Sequence, residues 1–158
     1  MSKTTDLSKF QNSWYNPGNR FKRSIWFLVN AVFLQNPIIS FSSLKVFLLR
    51  TFGAKIGKNV VVKPNVNIKY PWNLSIGDNT WIGEKVWIDN LGKVTIGKNV
   101  CLSQGSFLLC GNHDYKKETF DLMIKEINLE DGVWIGAKAT VCPGVTCFIK
   151  TFPVVSGI

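Results

Sequence analysis

The segment CGNHDY, residues 110–115, carries the only histidine of this 158-residue chain. The unperturbed pKa of an imidazole is near 6.5, so His113 can accept a proton near neutral pH and act as a general base. Gly111 and Asn112, which precede it, suit a sharp turn of the backbone. We therefore predict that His113 is a base presented at an edge of the fold, where a regular sequence pattern breaks.

The four cysteines form no CxxC pair; they are Cys101, Cys110, Cys142 and Cys147. With a single histidine they offer little for zinc, and we predict no metal site. Free thiols are typical of a reducing compartment, which favours a cytoplasmic protein. The segment MSKTTDLSKF lacks the apolar core of a signal peptide. The longest apolar run, IWFLVNAVFL, is about half as long as a membrane span.

Aliphatic residues recur at every sixth position over much of the chain. Two shifts of two residues and one insertion, 110–126, interrupt this period. A small or β-branched residue often lies four places after the aliphatic residue, and Gly follows five of them directly. The aliphatic positions are Ile56, Val62, Ile68, Ile76, Ile82, Ile88, Ile96, Leu102, Leu108, Leu129, Ile135 and Val141.

A period of six fits neither an α-helix nor a simple strand. It fits a coil of short flat faces, with one aliphatic residue per face pointing inward and Gly or Asn in each turn. Three hexapeptides then make one triangular coil, and coils stack because none can bury its apolar side alone. We predict an all-β repeat fold over residues 54–146, with about three coils in 56–109 and about one more in 129–146.

Residues 1–53, which precede the repeat, have a different sequence pattern, and we predict a different structure for them. We expect residues 1–20 to form a polar arm with little order, followed by short helices at 21–35 and 41–52. The first helix ends before Pro37, and Ser40 or Ser42 caps the second. Gly53 suits the left-handed position that follows a helix.

Positive charge is concentrated in the N-terminal part of the chain, whose net charge is +9 overall. Residues 1–70 contain eleven Lys and Arg residues and one acidic residue, whereas residues 71–158 contain eight Lys and Arg residues and nine acidic residues. Because basic residues alternate with Trp26, Phe33 and Phe41, we predict peripheral contact with the inner face of a membrane. A solvated basic face is the interpretation left open beside it. No motif for nucleic acid is recognised, and none is predicted as a partner.

Three segments together resemble one protein family. They are FGAKIGKNVVVKPNVNIKYPWNLSIGDNTWIGEKVWIDNLGKVTIG, SQGSFLLCGNHDY and DGVWIGAKATVCPGVT. These segments resemble the hexapeptide-repeat acetyltransferases of the colanic-acid type, which are related to the maltose, galactoside and nodulation acetyltransferases. The fold that the resemblance implies is a left-handed parallel β-helix.

The resemblance also implies a function. It implies acetyl-CoA as the donor, and a sugar or lipid-linked saccharide of exopolysaccharide synthesis as the acceptor. It implies a homotrimer with active sites between subunits, with His113 as the catalytic base and Asp89 near the acceptor. Such a base takes the hydroxyl proton during attack on the thioester and typically contributes about 10²–10⁴-fold to the rate.

Further site residues are carried over on the same motifs. The positions near the acceptor are Asn90, Ser103, Asn112 and Tyr115. The positions along which the pantetheine of CoA lies are Trp134, Gly136 and Ala137. Small residues at such a corner let a thin chain approach the backbone, although packing alone also explains them.

The C-terminal segment 147–158 departs from the family. After VCPGVT, members of the family continue with more hexapeptides and a Thr-Lys pair that helps to bind CoA. Here Cys147 and Phe148 stand where an aliphatic residue and Gly are expected, so we predict an irregular tail and an incomplete CoA groove.

The sequence leaves one alternative function open and disfavours a second. One is a non-catalytic β-helix scaffold, an inactive remnant of the enzyme, which would not turn over the donor. The other is a zinc hydratase of the β-helix type. It is disfavoured because such enzymes need several different histidines for each metal.

Overall fold

The repeat region folds as a three-sided parallel β-helix in the structure, a computed structural model that describes residues 4–149. The first three coils contain β1 (Lys55–Ile56), β2 (Val61–Val62), β3 (Asn67–Ile68), β4 (Leu74–Ile76), β5 (Trp81–Ile82), β6 (Trp87–Asp89), β7 (Val94–Ile96), β8 (Cys101–Leu102) and β9 (Phe107–Leu109). A hairpin of β10 (Gly111–His113) and β11 (Leu122–Ile124) follows. The fourth coil contains β12 (Ile127–Leu129), β13 (Trp134–Ile135) and β14 (Thr140–Val141), and β15 (Thr146–Cys147) begins a fifth.

Each of the three faces is a parallel sheet of strands from successive coils. The first face has the order β1-β4-β7-β12-β15, the second contains β2, β5, β8 and β13, and the third contains β3, β6, β9 and β14. Equivalent positions stack directly, as in the pairs Ile56–Ile76 and Ile76–Ile96. All of the predicted hexapeptide aliphatics are buried except Ile56, which is half-buried in the first coil. The predicted fold class is therefore confirmed.

The corners of the coils depend on residues that tolerate a left-handed backbone. Asn, Gly or Lys precedes the inward small residue at nine corners, with φ between +54° and +81°. Asn and Gly adopt this region at little cost. The corner residues are Asn59, Asn65, Asn79, Lys85, Asn99, Gly105, Gly132, Lys138 and Gly144. Asn and Gly were expected there, but Lys85 and Lys138 were not.

Glycines after the aliphatic residues are needed for a second reason, the close stacking of coils. A Cβ added to Gly77 would lie 2.6 Å from both the carbonyl carbon of Gly97 and the amide nitrogen of Lys98 in the next coil. No real side chain fits at that distance, so the coil spacing itself selects glycine.

Two helices cover the open end of the first coil. They are α1 (Arg20–Val29), which continues as a π-helical turn over Asn30–Leu34, and α2 (Ser42–Thr51). Gly53 has φ +104°, as expected after a helix. The expected side-chain N-cap is wrong, because Phe41 occupies that position. The Ser42 hydroxyl instead accepts a hydrogen bond from the Val62 amide at 2.8 Å.

Side chains of these helices pair with backbone groups that the first coil would otherwise leave open. The Trp26 indole donates to the Ile68 carbonyl at 2.8 Å, and the Lys45 ammonium to the Lys63 carbonyl at 2.9 Å. Burial lowers the pKa of Lys45. Arg50 donates to the Gly57 carbonyl at 2.7 Å. Such contacts protect an end that would invite pairing with another chain.

Both terminal segments differ from the expectation. The arm before α1 is not structureless, since it has a 3₁₀ turn at Leu7–Lys9 and packs on the hairpin. The repeat continues to Cys147, which is buried and aligned with Leu129, one residue beyond the predicted boundary. The rest of the predicted tail, 150–158, lies outside the described residues.

Neither a membrane-spanning helix nor a metal site was found in residues 4–149. No helix there is long and apolar enough to cross a bilayer. No group of three or more His, Cys, Asp or Glu in the same part of the chain could hold a metal ion.

Lys85 offers a test of the corner rule. Its φ of +59° costs a non-glycine residue about 1 kcal/mol, which Asn largely avoids. We expect Lys85→Asn to raise the free energy of unfolding by about 0.5–1 kcal/mol in chemical denaturation. The matched control is Lys98→Asn, which changes the residue beside corner Asn99 and should have little effect. Equal effects of the two substitutions would contradict the rule.

Candidate active site

The hairpin that carries His113 projects from the corner between β9 and β12. Its two strands pair antiparallel, with His113 opposite Leu122. A hydrogen bond from the Lys125 amide to the Cys110 carbonyl, at 3.0 Å, joins the two strands where the hairpin leaves the β-helix. A Cβ on Gly111 would lie 2.4 Å from Leu91 Cδ1, so a larger residue here would displace the Leu91 side chain. The insertion in the repeat therefore presents the imidazole on a two-stranded support.

One hydrogen bond fixes the chemistry of the imidazole. His113 Nδ1 lies 2.9 Å from the carbonyl oxygen of Phe120. A carbonyl can only accept, so Nδ1 carries the proton and donates it. In the neutral imidazole, Nε2 then has a free lone pair. The hairpin thus prepares Nε2 to act as a base.

Phe120 supports the imidazole with its ring as well as its carbonyl. The rings of His113 and Phe120 stack at 4.3 Å with an angle of 2° between their planes. Phe120 has φ +49°, a conformation that is uncommon for a bulky residue. Strain of this kind is retained at functional sites when the surrounding structure enforces it. Here it lets one residue provide both contacts.

The N-terminal arm supplies the third contact of His113. The Phe10 ring meets the imidazole edge-on, with centroids 5.4 Å apart. The Asp6 amide donates to the Glu118 carbonyl at 2.8 Å, and Lys9 forms an ion pair with Glu118. These contacts between the arm and the hairpin follow no period in the sequence, so sequence analysis does not predict them.

Tyr15, further along the N-terminal arm, contacts the β-helix near the start of the hairpin. Its hydroxyl donates to the Leu91 carbonyl at 2.9 Å. Burial, followed by the nearby Tyr70 and Asp89, raises the pKa of Tyr15 well above its usual value. The phenol therefore stays neutral at physiological pH and acts as a hydrogen-bond donor. This residue, too, was missed in the sequence.

Asp89 lies at the foot of the hairpin, at the end of β6. Its carboxylate is almost buried, and Oδ1 is 2.8 Å from Lys69 Nζ without hydrogen-bond geometry, so charge holds the pair together. Its carbonyl accepts from the Cys110 amide at 3.2 Å. Among the described residues, no hydrogen bond or ion pair joins the Asp89 carboxylate to His113.

The predicted acceptor residues fall into two groups. Asn90 is fully buried, and its side chain bonds both the amide and the carbonyl of Tyr70, at 2.9 Å and 2.6 Å. It fastens two coils together, which corrects the expectation that it contacts substrate. Asn112 is exposed and accepts from the His113 amide at 2.8 Å, and the exposed Tyr115 donates its amide to the His113 carbonyl at 3.1 Å.

The predicted donor residues meet at the corner between the second and third faces of the fourth coil. Trp134 is exposed, and its indole donates to the Ser103 hydroxyl at 2.8 Å. Gly136 and Ala137 follow at the turn. The structure thus joins a predicted acceptor residue, Ser103, to a predicted donor residue. In residues 4–149, no hydrogen bond or ring contact links this corner to His113.

Cys110 is the cysteine closest in sequence to His113, yet its environment suppresses its reactivity. It is fully buried, and burial raises the pKa of its thiol to about 11. A thiol rather than a thiolate is present at neutral pH, so attack by this cysteine is disfavoured. Cys110 is therefore not a candidate for a covalent intermediate at neutral pH.

Comparison with known proteins identifies the family. The colanic acid biosynthesis acetyltransferase WcaF of Escherichia coli (strain K12) is 41% identical over 143 residues, which are 89% of this chain and 78% of that protein. The chain belongs to the hexapeptide-repeat acetyltransferases. No protein-family model matches it.

Solved structures agree on the fold. The hexapeptide-repeat acetyltransferase VCA0836 of Vibrio cholerae matches with a TM-score of 0.69 and 25% identity, over 80% of this chain and 72% of that one. The structure of its complex with acetyl coenzyme A matches with a TM-score of 0.68 and 24% identity, over 80% of this chain and 69% of that one. The left-handed β-helix and the resemblance to this acetyltransferase family are therefore confirmed.

The edge contact of Phe10 with His113 can be tested in this acetyltransferase. Phe10→Ala removes the ring that meets the imidazole edge-on, and on the base-catalysis hypothesis we expect kcat to fall about tenfold, because a small displacement of the base is costly. Phe10→Leu should retain most activity. The control is Leu7→Ala, an exposed residue of the same arm. Unchanged kcat in Phe10→Ala, with an unchanged melting temperature, would contradict the role.

Proposed function

We propose that this chain is an acetyl-CoA-dependent O-acetyltransferase acting on a sugar hydroxyl in exopolysaccharide synthesis, with His113 as general base. The observation that carries the proposal is the bond from His113 Nδ1 to the Phe120 carbonyl, because it leaves Nε2 free. The name of the relative WcaF supports colanic-acid-like material as the context.

The reaction follows from this geometry. Nε2 of His113 removes the proton of the acceptor hydroxyl as its oxygen attacks the carbonyl carbon of the acetyl thioester. A carbon–oxygen bond forms, and the carbon–sulfur bond then breaks. The departing thiolate takes the proton from the imidazolium. The Phe120 carbonyl, which accepts from Nδ1–H throughout, stabilises the positive charge that develops on the ring.

The donor corner supports acetyl-CoA as the acyl source. Trp134 offers an exposed indole plane held by Ser103, and Gly136 and Ala137 leave room for a thin chain beside the backbone. The related Vibrio cholerae structure contains acetyl coenzyme A, in agreement with this assignment. Asp89, Asn112 and Tyr115 are the residues we assign to the acceptor side.

A homotrimer is part of the proposal. In one chain the donor corner and His113 share no hydrogen bond or ring contact among the described residues, as expected if each site combines parts of two subunits.

We further propose that the N-terminal helices rest on the cytoplasmic face of a membrane. Trp26 is buried and Phe33 packs on the core, so neither inserts as expected from the sequence. Other apolar residues of the region are exposed instead, beside an excess of Lys and Arg. They are Phe21, Phe27, Leu28, Val32, Ile38, Phe41 and Phe47.

His113→Ala tests the catalytic proposal. We expect kcat to fall by about 10²-fold or more, because the substitution removes the proposed acceptor of the hydroxyl proton. Thiol release from acetyl-CoA is measured against a panel of glycosides, with light scattering to check assembly. The control is Lys116→Ala, on the exposed part of the same hairpin. Unchanged kcat in His113→Ala would refute the assignment, and wild-type protein inactive on every glycoside would favour the scaffold alternative.

Vesicle co-sedimentation tests the membrane proposal. Binding should require anionic lipid and weaken at high salt, since each Lys or Arg near the surface contributes about 1 kcal/mol. Replacing both Phe21 and Phe47 with Ser should reduce binding about tenfold. Trp81→Ser, which removes an exposed aromatic far from the helices in sequence, is the control. Equal loss in the control, or binding insensitive to salt, would contradict the proposal.

A further inference from the structure

A groove of about 700 Å³ lies between α1 with its π-helical continuation and the third face of the first two coils. Two cations, Arg23 and Lys69, line it together with Tyr70, Trp87 and Phe27. A cavity with aromatic walls and a few polar groups is typical of a small-molecule site. We refer to it as the α1 groove.

The charges of the α1 groove are incompletely balanced. Lys69 is paired with Asp89, but no ion pair of Arg23 is found among residues 4–149. Arg23 is half-buried, so water solvates its guanidinium only in part. A guanidinium presents a planar set of donors that matches the oxygens of a phosphate group. The groove therefore favours an anionic ligand.

Its aromatic wall favours a ring with an apolar face. Trp87 remains 43% exposed while it stacks on Phe107, with centroids 4.6 Å apart and 19° between the planes. The stack holds the indole in a fixed orientation. Flat aromatic surfaces of this kind combine apolar contact with little entropy loss on binding, and the C–H face of a sugar ring is a suitable partner.

The groove leads to the foot of the catalytic hairpin. Lys69 in its wall contacts Asp89, whose carbonyl accepts from Cys110, three residues before His113. Arg23 acts electrostatically on Tyr15, which bonds Leu91 at the same place. A ligand in the groove therefore lies against the elements that support the base.

We infer that the α1 groove binds the acceptor, and that this acceptor is a saccharide carrying a phosphate group. The phosphate lies at Arg23 and Lys69, and a sugar ring lies on Trp87. The inference rests on the proposed function, since it names the substrate class of the same site. It adds a specificity that the His113 chemistry alone does not require.

Equilibrium binding tests the inference separately from turnover. The protein is His113→Ala, and the probes are glucosyl phosphate, galactosyl phosphate, their methyl glycosides and inorganic phosphate, measured by isothermal titration. At least one glycosyl phosphate should bind about tenfold more tightly than its methyl glycoside and than inorganic phosphate, as a charge-assisted contact allows.

Two substitutions test separately the contact with the phosphate group and the contact with the sugar ring. Arg23→Gln should abolish the advantage of the glycosyl phosphate over the methyl glycoside. Trp87→Leu should abolish its advantage over inorganic phosphate. The matched controls are Arg20→Gln, an exposed cation at the start of α1, and Trp81→Leu, an exposed tryptophan on the second face. Both controls should retain the wild-type preferences.

Three results would overturn the inference. The first is equal affinity for glycosyl phosphates and methyl glycosides, and the second is equal affinity for inorganic phosphate. The third is an Arg23→Gln variant that loses affinity for acetyl-CoA rather than for the glycosyl phosphate, which would assign the groove to the phosphates of the donor. Absence of acetyl transfer by wild-type protein would instead contradict the proposed function and leave these binding results standing.

Discussion

Stacking of each coil directly on the next is the constraint on which the rest of this structure depends. The strands have only two or three residues, so none is stable without its neighbours above and below. Contact is so close that Gly77 has no room for a methyl group beneath Gly97. A segment that keeps the six-residue period forms part of the stacked coils, and a segment that breaks the period projects from them. The hairpin with His113 leaves the stack at such a break, which is why the imidazole lies outside the regular wall of the β-helix.

The open end of the stack links stability to function. The α1 and α2 helices satisfy the exposed backbone of the first coil through Trp26, Lys45 and Arg50. The residues before α1 then run back to the hairpin, where Phe10 contacts His113. One N-terminal segment therefore covers the end of the stack, contacts the imidazole of His113 and forms a wall of the α1 groove. A change in this segment is expected to affect folding and catalysis together.

The sequence predicted the β-helix well because inward packing leaves a direct trace, an aliphatic residue at every sixth position. The role of His113 stays a prediction, which rests on a family motif and on the absence of another histidine in the sequence. The sequence could not predict Phe10 or Tyr15, whose partners are distant in sequence and follow no period. Nor could the sequence show that Asn90 is a structural residue. An Asn that bonds the backbone of Tyr70 cannot be told from a sugar-binding Asn by residue type alone. Lys85 at a left-handed corner was missed because the stack imposes a conformation that the residue itself disfavours.

The central claim is that the hairpin holds His113 with Nδ1 protonated and Nε2 free to act as the base. Because the chain has one histidine, a two-bond proton–nitrogen correlation spectrum of the imidazole reports on this residue without ambiguity. Recorded at a pH where the ring is neutral, it should show the proton on Nδ1 and an unprotonated Nε2. A neutral ring with its proton on Nε2 would contradict the account, since no lone pair would then face the acceptor hydroxyl.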